Sequence, residues 1–146
     1  SSLKVLMNKT LPNHIGWQLW QASRNWTETF VLRLQAADYP CITFALANVL
    51  GHLSRDKAVR QTQIADRAGL TKQAIGQFLE ELEKLNLIER IPDPADGRAR
   101  LVQYTDSGRK FLNMADQIKS EIEDEYEAKL GPQNLEDLKK LIDALQ

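Results

Sequence analysis

The sequence predicts a mainly α-helical chain interrupted once by a small β-hairpin. Three observations carry this. Apolar residues recur at three- and four-residue steps over most of the chain, the period of an amphipathic helix. Residues 87–91 alternate instead, as a strand does, and after a turn so do residues 100–104. Between them, Pro92, Asp93, Pro94, Asp96 and Gly97 crowd into one short stretch of turn formers.

A first long helix is expected over 12–37, starting at Pro12 or Asn13 with Asn13 as its cap; residues 1–11 are expected to be loosely ordered. Ile15, Leu19, Trp26, Phe30 and Leu34 form one apolar stripe on it, and Trp17, Trp20, Thr27 and Val31 a neighbouring one. Two apolar faces on one helix predict that one packs internally and the other meets a second subunit. Asp38, Tyr39 and Pro40 break it. Residues 42–53 read as a second helix, and 54–60, SRDKAVR, as a charged connector whose Arg55, Lys57 and Arg60 could reach phosphate or simply be solvated.

Residues 61–86 read as two helices with a glycine between. Thr62 is the candidate cap of the first, and Gly69 supplies the left-handed residue that ends it. Thr71 caps the second, 71–86, whose Ile75, Phe78, Leu79, Leu82 and Leu85 share one face. Thr71, Lys72, Gln73, Gly76 and Gln77 sit on or near the opposite face. Short helix, tight turn and amphipathic helix make a helix-turn-helix, whose second helix reads the DNA major groove with its N-terminal residues. Glutamine pairs with adenine and lysine reaches guanine or phosphate, while Gly76 lets the backbone approach a surface. The hairpin that follows is a wing, residues 92–100 at its tip. Arg98 and Arg100 are placed there to reach phosphates or a narrow minor groove, with Asp93 or Asp96 positioned to hold Arg98.

The stretch LNLIERIPDPADGRARLVQYTDSGRKFL resembles the wing of the MarR family of bacterial regulators. Asp93, Pro94, Asp96, Arg98, Thr105 and Gly108 match that family's pattern in order, and Gly69, Leu70 and Thr71 match the surroundings of its recognition helix. Tyr104 stands where the family usually has leucine, a core exchange. Gly76 and Gln77 stand where serine or threonine and a basic residue are common, which bears on the operator sequence. The resemblance implies a winged helix-turn-helix lobe over 40–104 within a single domain spanning 1–146. It also implies an intertwined homodimer through helices 12–37 and 105–146. Small aromatic or phenolic effectors bind family members where the dimer helices meet the reading head; His14, Trp17, Trp20, Trp26 and Phe44 are the lining candidates that follow.

Thr105 is expected to cap a long helix to about Leu130, whose Phe111, Ala115, Ile118, Ile122 and Tyr126 step like a coiled-coil seam. Gly131 and Pro132 end it, and residues 134–146 form a last amphipathic helix. Charge is uneven along the chain. The net charge is −1 overall, but residues 1–54 and 55–110 each carry +2 and residues 111–146 carry −5, so the acidic excess lies away from the reading head.

The pattern lacks a phosphate-binding glycine loop and any recognised nucleophile–base spacing, so an enzyme is not expected. His14 and His52 are the only histidines, 38 residues apart, and no metal or other cofactor is expected. The single cysteine, Cys41, is expected to be a buried, inert thiol; it fits a reducing, cytoplasmic setting, and no run is long enough to span a membrane. The expected function is a homodimeric, ligand-responsive repressor whose partners are double-stranded DNA, its own copy and a small aromatic effector. The alternative is a winged-helix module that binds protein.

Overall fold

The computed structural model describes residues 13–146; the loosely ordered segment expected at 1–11, and Pro12 as a helix start, lie outside the described residues. The first helix, α1 (Ile15–Ala36), is capped by His14 rather than Asn13. Extended backbone at His14 brings its ring Nδ1 within 3.2 Å of the Trp17 amide, which donates to it. At the other end Asp38 takes a left-handed conformation (φ 73°) and the Tyr39 amide donates back to the Leu34 carbonyl.

The second helix, α2 (Phe44–Gly51), is shorter than its apolar pattern. Thr43 Oγ1 accepts from the Leu46 amide and starts it, leaving Ile42 buried in an extended lead-in. Residues 54–60 then end in a strand that the charged pattern hid, β1 (Val59–Arg60), too short to show a period. Helix α3 (Gln61–Ala68) starts directly from it. Arg60 is therefore the cap position, with no side-chain cap bond, and Thr62 falls inside the first turn instead of capping it. Gly69 does end α3 left-handed (φ 67°), with the Leu70 amide donating to the Ala65 carbonyl.

Thr71 Oγ1 accepts from the Ala74 amide and opens α4 (Lys72–Lys84), which buries Ile75, Leu79 and Leu82 completely. Asn86, left-handed at φ 60°, turns the chain out of it; asparagine tolerates that region better than most residues. The hairpin strands β2 (Ile88–Asp93) and β3 (Asp96–Tyr104) are longer than expected, since much of the presumed turn is paired. Pro92 lies opposite Arg100 and Asp93 opposite Asp96, with an irregularity between them. The antiparallel sheet has the order β1-β3-β2.

Thr105 caps α5 (Asp106–Leu130) through the Gly108 amide, as its position predicts. Gly108 is required by packing: a Cβ there would lie 1.9 Å from the Leu87 carbonyl oxygen, so α5 leaves the sheet against bare backbone. Pro132 occupies the first turn of α6 (Pro132–Ala144), two residues earlier than the apolar pattern places it. One core joins α2, α3, α4, the sheet, the C-terminal half of α1 and α5 as far as Ile122, from Leu34 and Leu46 to Val102 and Ile122. The N-terminal half of α1 stands outside it, with Ile15 and Trp20 exposed. Among the described residues no helix is long and apolar enough to cross a membrane.

Candidate nucleic-acid interface

Alternation along β3 explains how one strand serves both core and surface. Tyr104 and Val102 point inward and are buried. Arg100 continues the same row of the pleat, Arg98 lies beyond it in the irregular tip of the hairpin, and both are exposed. On the other side of the gap, Lys72, Gln73 and Gln77 are exposed on the first turns of α4. Lys72, Arg98 and Arg100 meet Arg60, Gln61, Thr62 and Ala99 around a cleft of about 200 Å³. Four cations from β1, α4 and β3 thus line one space, with no carboxylate among its walls. Gln73 and Gln77 lie outside it, on the outward face of α4.

Gly76 is half-buried, and the side chain nearest to where its Cβ would stand is Gln61, at 3.7 Å from Nε2. It therefore faces α3 rather than the outward surface. Gln61 Oε1 is buried with no hydrogen-bond partner among the described residues.

The wing carboxylates do not hold the Arg98 guanidinium, contrary to expectation. Asp93 is 7% exposed, the one buried charged residue among those described. Its Oδ2 accepts from Arg60 Nε at 2.9 Å and its Oδ1 from the Ala95 amide at 2.9 Å. Asp96 Oδ1 accepts from the Arg98 backbone amide at 3.0 Å, an Asx turn that shapes the tip and leaves the side chain free to project. Sequence reasoning missed the Arg60–Asp93 pair because 33 residues separate its members and only the strand order brings them together.

Arg55 is withdrawn from any phosphate role by a two-pronged bond to Asp116 on α5, at 2.5 and 2.7 Å. That bond holds the Asp116 carboxyl below its ordinary range and raises the guanidinium further. Beside it, Tyr104 donates to the Leu50 carbonyl. Burial pushes its phenol above the ordinary value, opposed by the Arg55 charge and reinforced by Asp116. A second cavity of about 90 Å³ lies here, between Phe30, Leu50, Arg55, Tyr104, Phe111 and Lys119.

The candidate effector residues are not brought to it. His14 caps α1, Trp17 stacks on Trp20 at 5.1 Å on the outlying half of that helix, and Phe44 is 56% exposed at the start of α2. Trp26 stacks on Phe30 and is the only one of the five next to a wall of this cavity. Cys41 is exposed, not buried: Ile42 takes the inward position after Pro40, and the thiol precedes the helix start. Among the described residues no three His, Cys, Asp or Glu side chains are grouped to hold a metal ion.

Residues 42–99, from the lead-in of α2 to the wing, match the family model described as MarR family. A curated relative, the transcriptional regulator HosA of Escherichia coli O111:H-, is 27% identical over 105 residues, covering 72% of this chain and 78% of its own. Over nearly the whole chain the fold coincides with a probable transcriptional regulator from Pseudomonas aeruginosa. That match has a TM-score of 0.75 and 28% identity, and covers 92% of this chain and 98% of the other. Over its reading head, residues 42–99, the chain is thus similar to the MarR family, and its fold is shared with transcriptional regulators. Another similar structure is the transcriptional repressor CouR, solved bound to a 23-mer DNA duplex. It has a TM-score of 0.75 and 27% identity, over 95% of this chain and 94% of that one. The wing stretch that resembles the family's, Asp93 to Arg98, has its two carboxylates committed to shaping the hairpin and anchoring β1.

Proposed function

We propose that this protein is a homodimeric transcriptional regulator that binds double-stranded DNA in the cytoplasm and represses until a small aromatic effector releases it. The observation that carries the DNA reading is the placement of Lys72, Arg98, Arg100 and Arg60 around one carboxylate-free cleft, beside the outward Gln73 and Gln77. On a duplex, α4 enters the major groove with the glutamines at base edges, and Thr71 fixes its first turn. Arg98, projecting from the tip, reaches the minor groove or its phosphates. The DNA complex of CouR and the regulator names of the other relatives support the same reading.

The dimer is supported by what one chain leaves uncovered. Ile15 and Trp20 on α1, and Leu138, Leu141 and Leu145 on α6, are large apolar side chains facing solvent. Paired through these helices, two reading heads would sit about 34 Å apart, one turn of the duplex, and would favour an inverted repeat. For the effector, the cavity beside Tyr104 offers apolar walls and the ammonium of Lys119, since Arg55 is already paired with Asp116, a setting for a small aromatic anion. Such a ligand acts only by preferring the spacing that does not fit DNA.

The test is selection from random duplexes, repeated at low and moderate salt. An enriched inverted repeat whose affinity falls with salt is expected, and Arg98→Ala should weaken binding to many sequences and lower the salt slope by about one. A protein that retains no duplex even at low ionic strength does not have this function.

A further inference from the structure

Arg60 differs from the other three cations of the cleft. Arg98 and Arg100 project from an exposed strand, whereas Arg60 has one edge of its guanidinium fixed on a buried carboxylate. Its side chain is still 46% exposed and lines the cleft. A guanidinium carries five N–H donors in a rigid fork, so one edge can be anchored while the rest stays available. Both Asp93 oxygens are occupied, by Arg60 and by the Ala95 amide, and Asp93 is behind the cleft rather than in its wall. The α3 helix also opens here, over eight residues, with no side chain capping its free amides. Thr62 and the half-buried Gln61 complete the floor, and Gln61 Oε1 has no partner among the described residues. A carboxamide rotated by half a turn presents a donor at that point instead.

We propose that this cleft seats one backbone phosphate of the bound duplex per subunit, with Arg60 as its direct contact and Asp93 as the residue that positions Arg60. The proposal rests on the DNA-binding reading above and adds a site to it. The seat lies between wing and recognition helix, so one phosphate ties the two together and sets the angle at which Arg98 and α4 engage their grooves. Because Asp93 holds Arg60 in place beforehand, little side-chain freedom is lost on contact.

The experiment uses the duplex enriched by selection, with each phosphate replaced in turn by an uncharged methylphosphonate. Several positions should weaken binding to the parent protein. In Arg60→Gln, overall affinity should fall about tenfold, and one sensitive position per half-site should become silent while the others keep their effect. Arg60→Lys, which keeps the charge but not the fork, should restore the salt slope without restoring the affinity. Asp93→Asn should keep the salt slope while the same single position loses its sensitivity; a merely structural role would blunt all positions together. Thermal melts confirm that each variant is folded. If Arg60→Gln binds like the parent, or loses affinity with every position still sensitive, the seat is disproved and the DNA reading survives. If no duplex is enriched at all, both fail.

Discussion

The reading head and the terminal helices carry the same kind of apolar periodicity, yet they close it differently. In α3, α4 and the sheet, the apolar face is satisfied within the chain: Ile64, Leu79, Leu82 and Val102 have no exposed surface. In α6 only Leu135 is buried, while Leu141 and Leu145 are 66% and 68% exposed. On α1 the contrast runs along a single helix, from Leu34 at 0% to Ile15 at 62%. Identical pattern, opposite burial: the periodicity of the terminal helices needs a surface that one chain does not supply. The head is built to hold its own shape, and the ends are built to meet something.

The largest test of this contrast lies at the joint between the two regions. Gly108 sits where α5 leaves the head, and Gly108→Ala puts a methyl group into the Leu87 carbonyl. Backbone must move on one side, so a loss of about 3 kcal/mol is expected in urea unfolding, at the upper end of overpacking costs. A loss below about 1 kcal/mol would mean that α5 is free to shift and that the head does not fix its direction.

Next comes the partner surface. Leu141→Glu combined with Leu145→Glu changes two residues that contribute little to the isolated chain, so the melting of the head should hardly change. Self-association measured by sedimentation should weaken about 100-fold, roughly 2.7 kcal/mol, if these leucines are buried between copies. A pair of charges that leaves the oligomer intact would separate α6 from the interface and leave α1 as its main carrier.

How much of this was legible beforehand follows the same division. The helix-turn-helix could be read residue by residue because its signals are local: Thr71 and the Gly69 turn each act on amides or carbonyls within five residues. Thr62 misled for a local reason too, since nothing in its own turn reveals that a strand ends at Arg60. The Arg60–Asp93 and Arg55–Asp116 pairs were invisible because they depend on which strand lies beside which, and on the path of α5 past the connector. From sequence alone Arg55 and Arg60 had the same standing, phosphate contact or solvated loop; the fold withdraws Arg55, half-commits Arg60 and leaves Arg98 and Arg100 projecting. Trp17 and Trp20 of α1 were legible as an excess of apolar surface, but not as remote from the cavity near Tyr104.

Inside the head, Tyr104 tests whether closure depends on polar detail. Tyr104→Phe keeps the ring and removes the hydroxyl that donates to the Leu50 carbonyl, leaving that carbonyl only its backbone partner, the Leu53 amide. A loss of about 1–2 kcal/mol is expected by denaturant unfolding. No loss would show that the Leu53 amide alone satisfies the α2 end and that the hydroxyl adds nothing to closure.

The smallest effect concerns the one ion pair that ties the head's connector to α5. Asp116 is held below its ordinary value of 3.8 by the hydrogen bonds from Arg55. A carboxyl whose value is lowered by folding contributes stability above the unfolded value and loses it as pH falls through the folded one. The difference between the parent and Asp116→Asn should therefore be full near neutrality, begin to shrink as pH approaches about 4, and vanish below that. Both side chains are about half exposed (50% and 45%), so water screens the pair and the full difference should stay under about 1 kcal/mol. A larger share of the effect should appear in duplex affinity, because Arg55 and Asp116 join the two regions whose relative position would set the spacing of the heads in the proposed dimer. If Asp116→Asn alters neither the acid limb of stability nor duplex affinity, the pair is a surface contact and the joint rests on Gly108 alone.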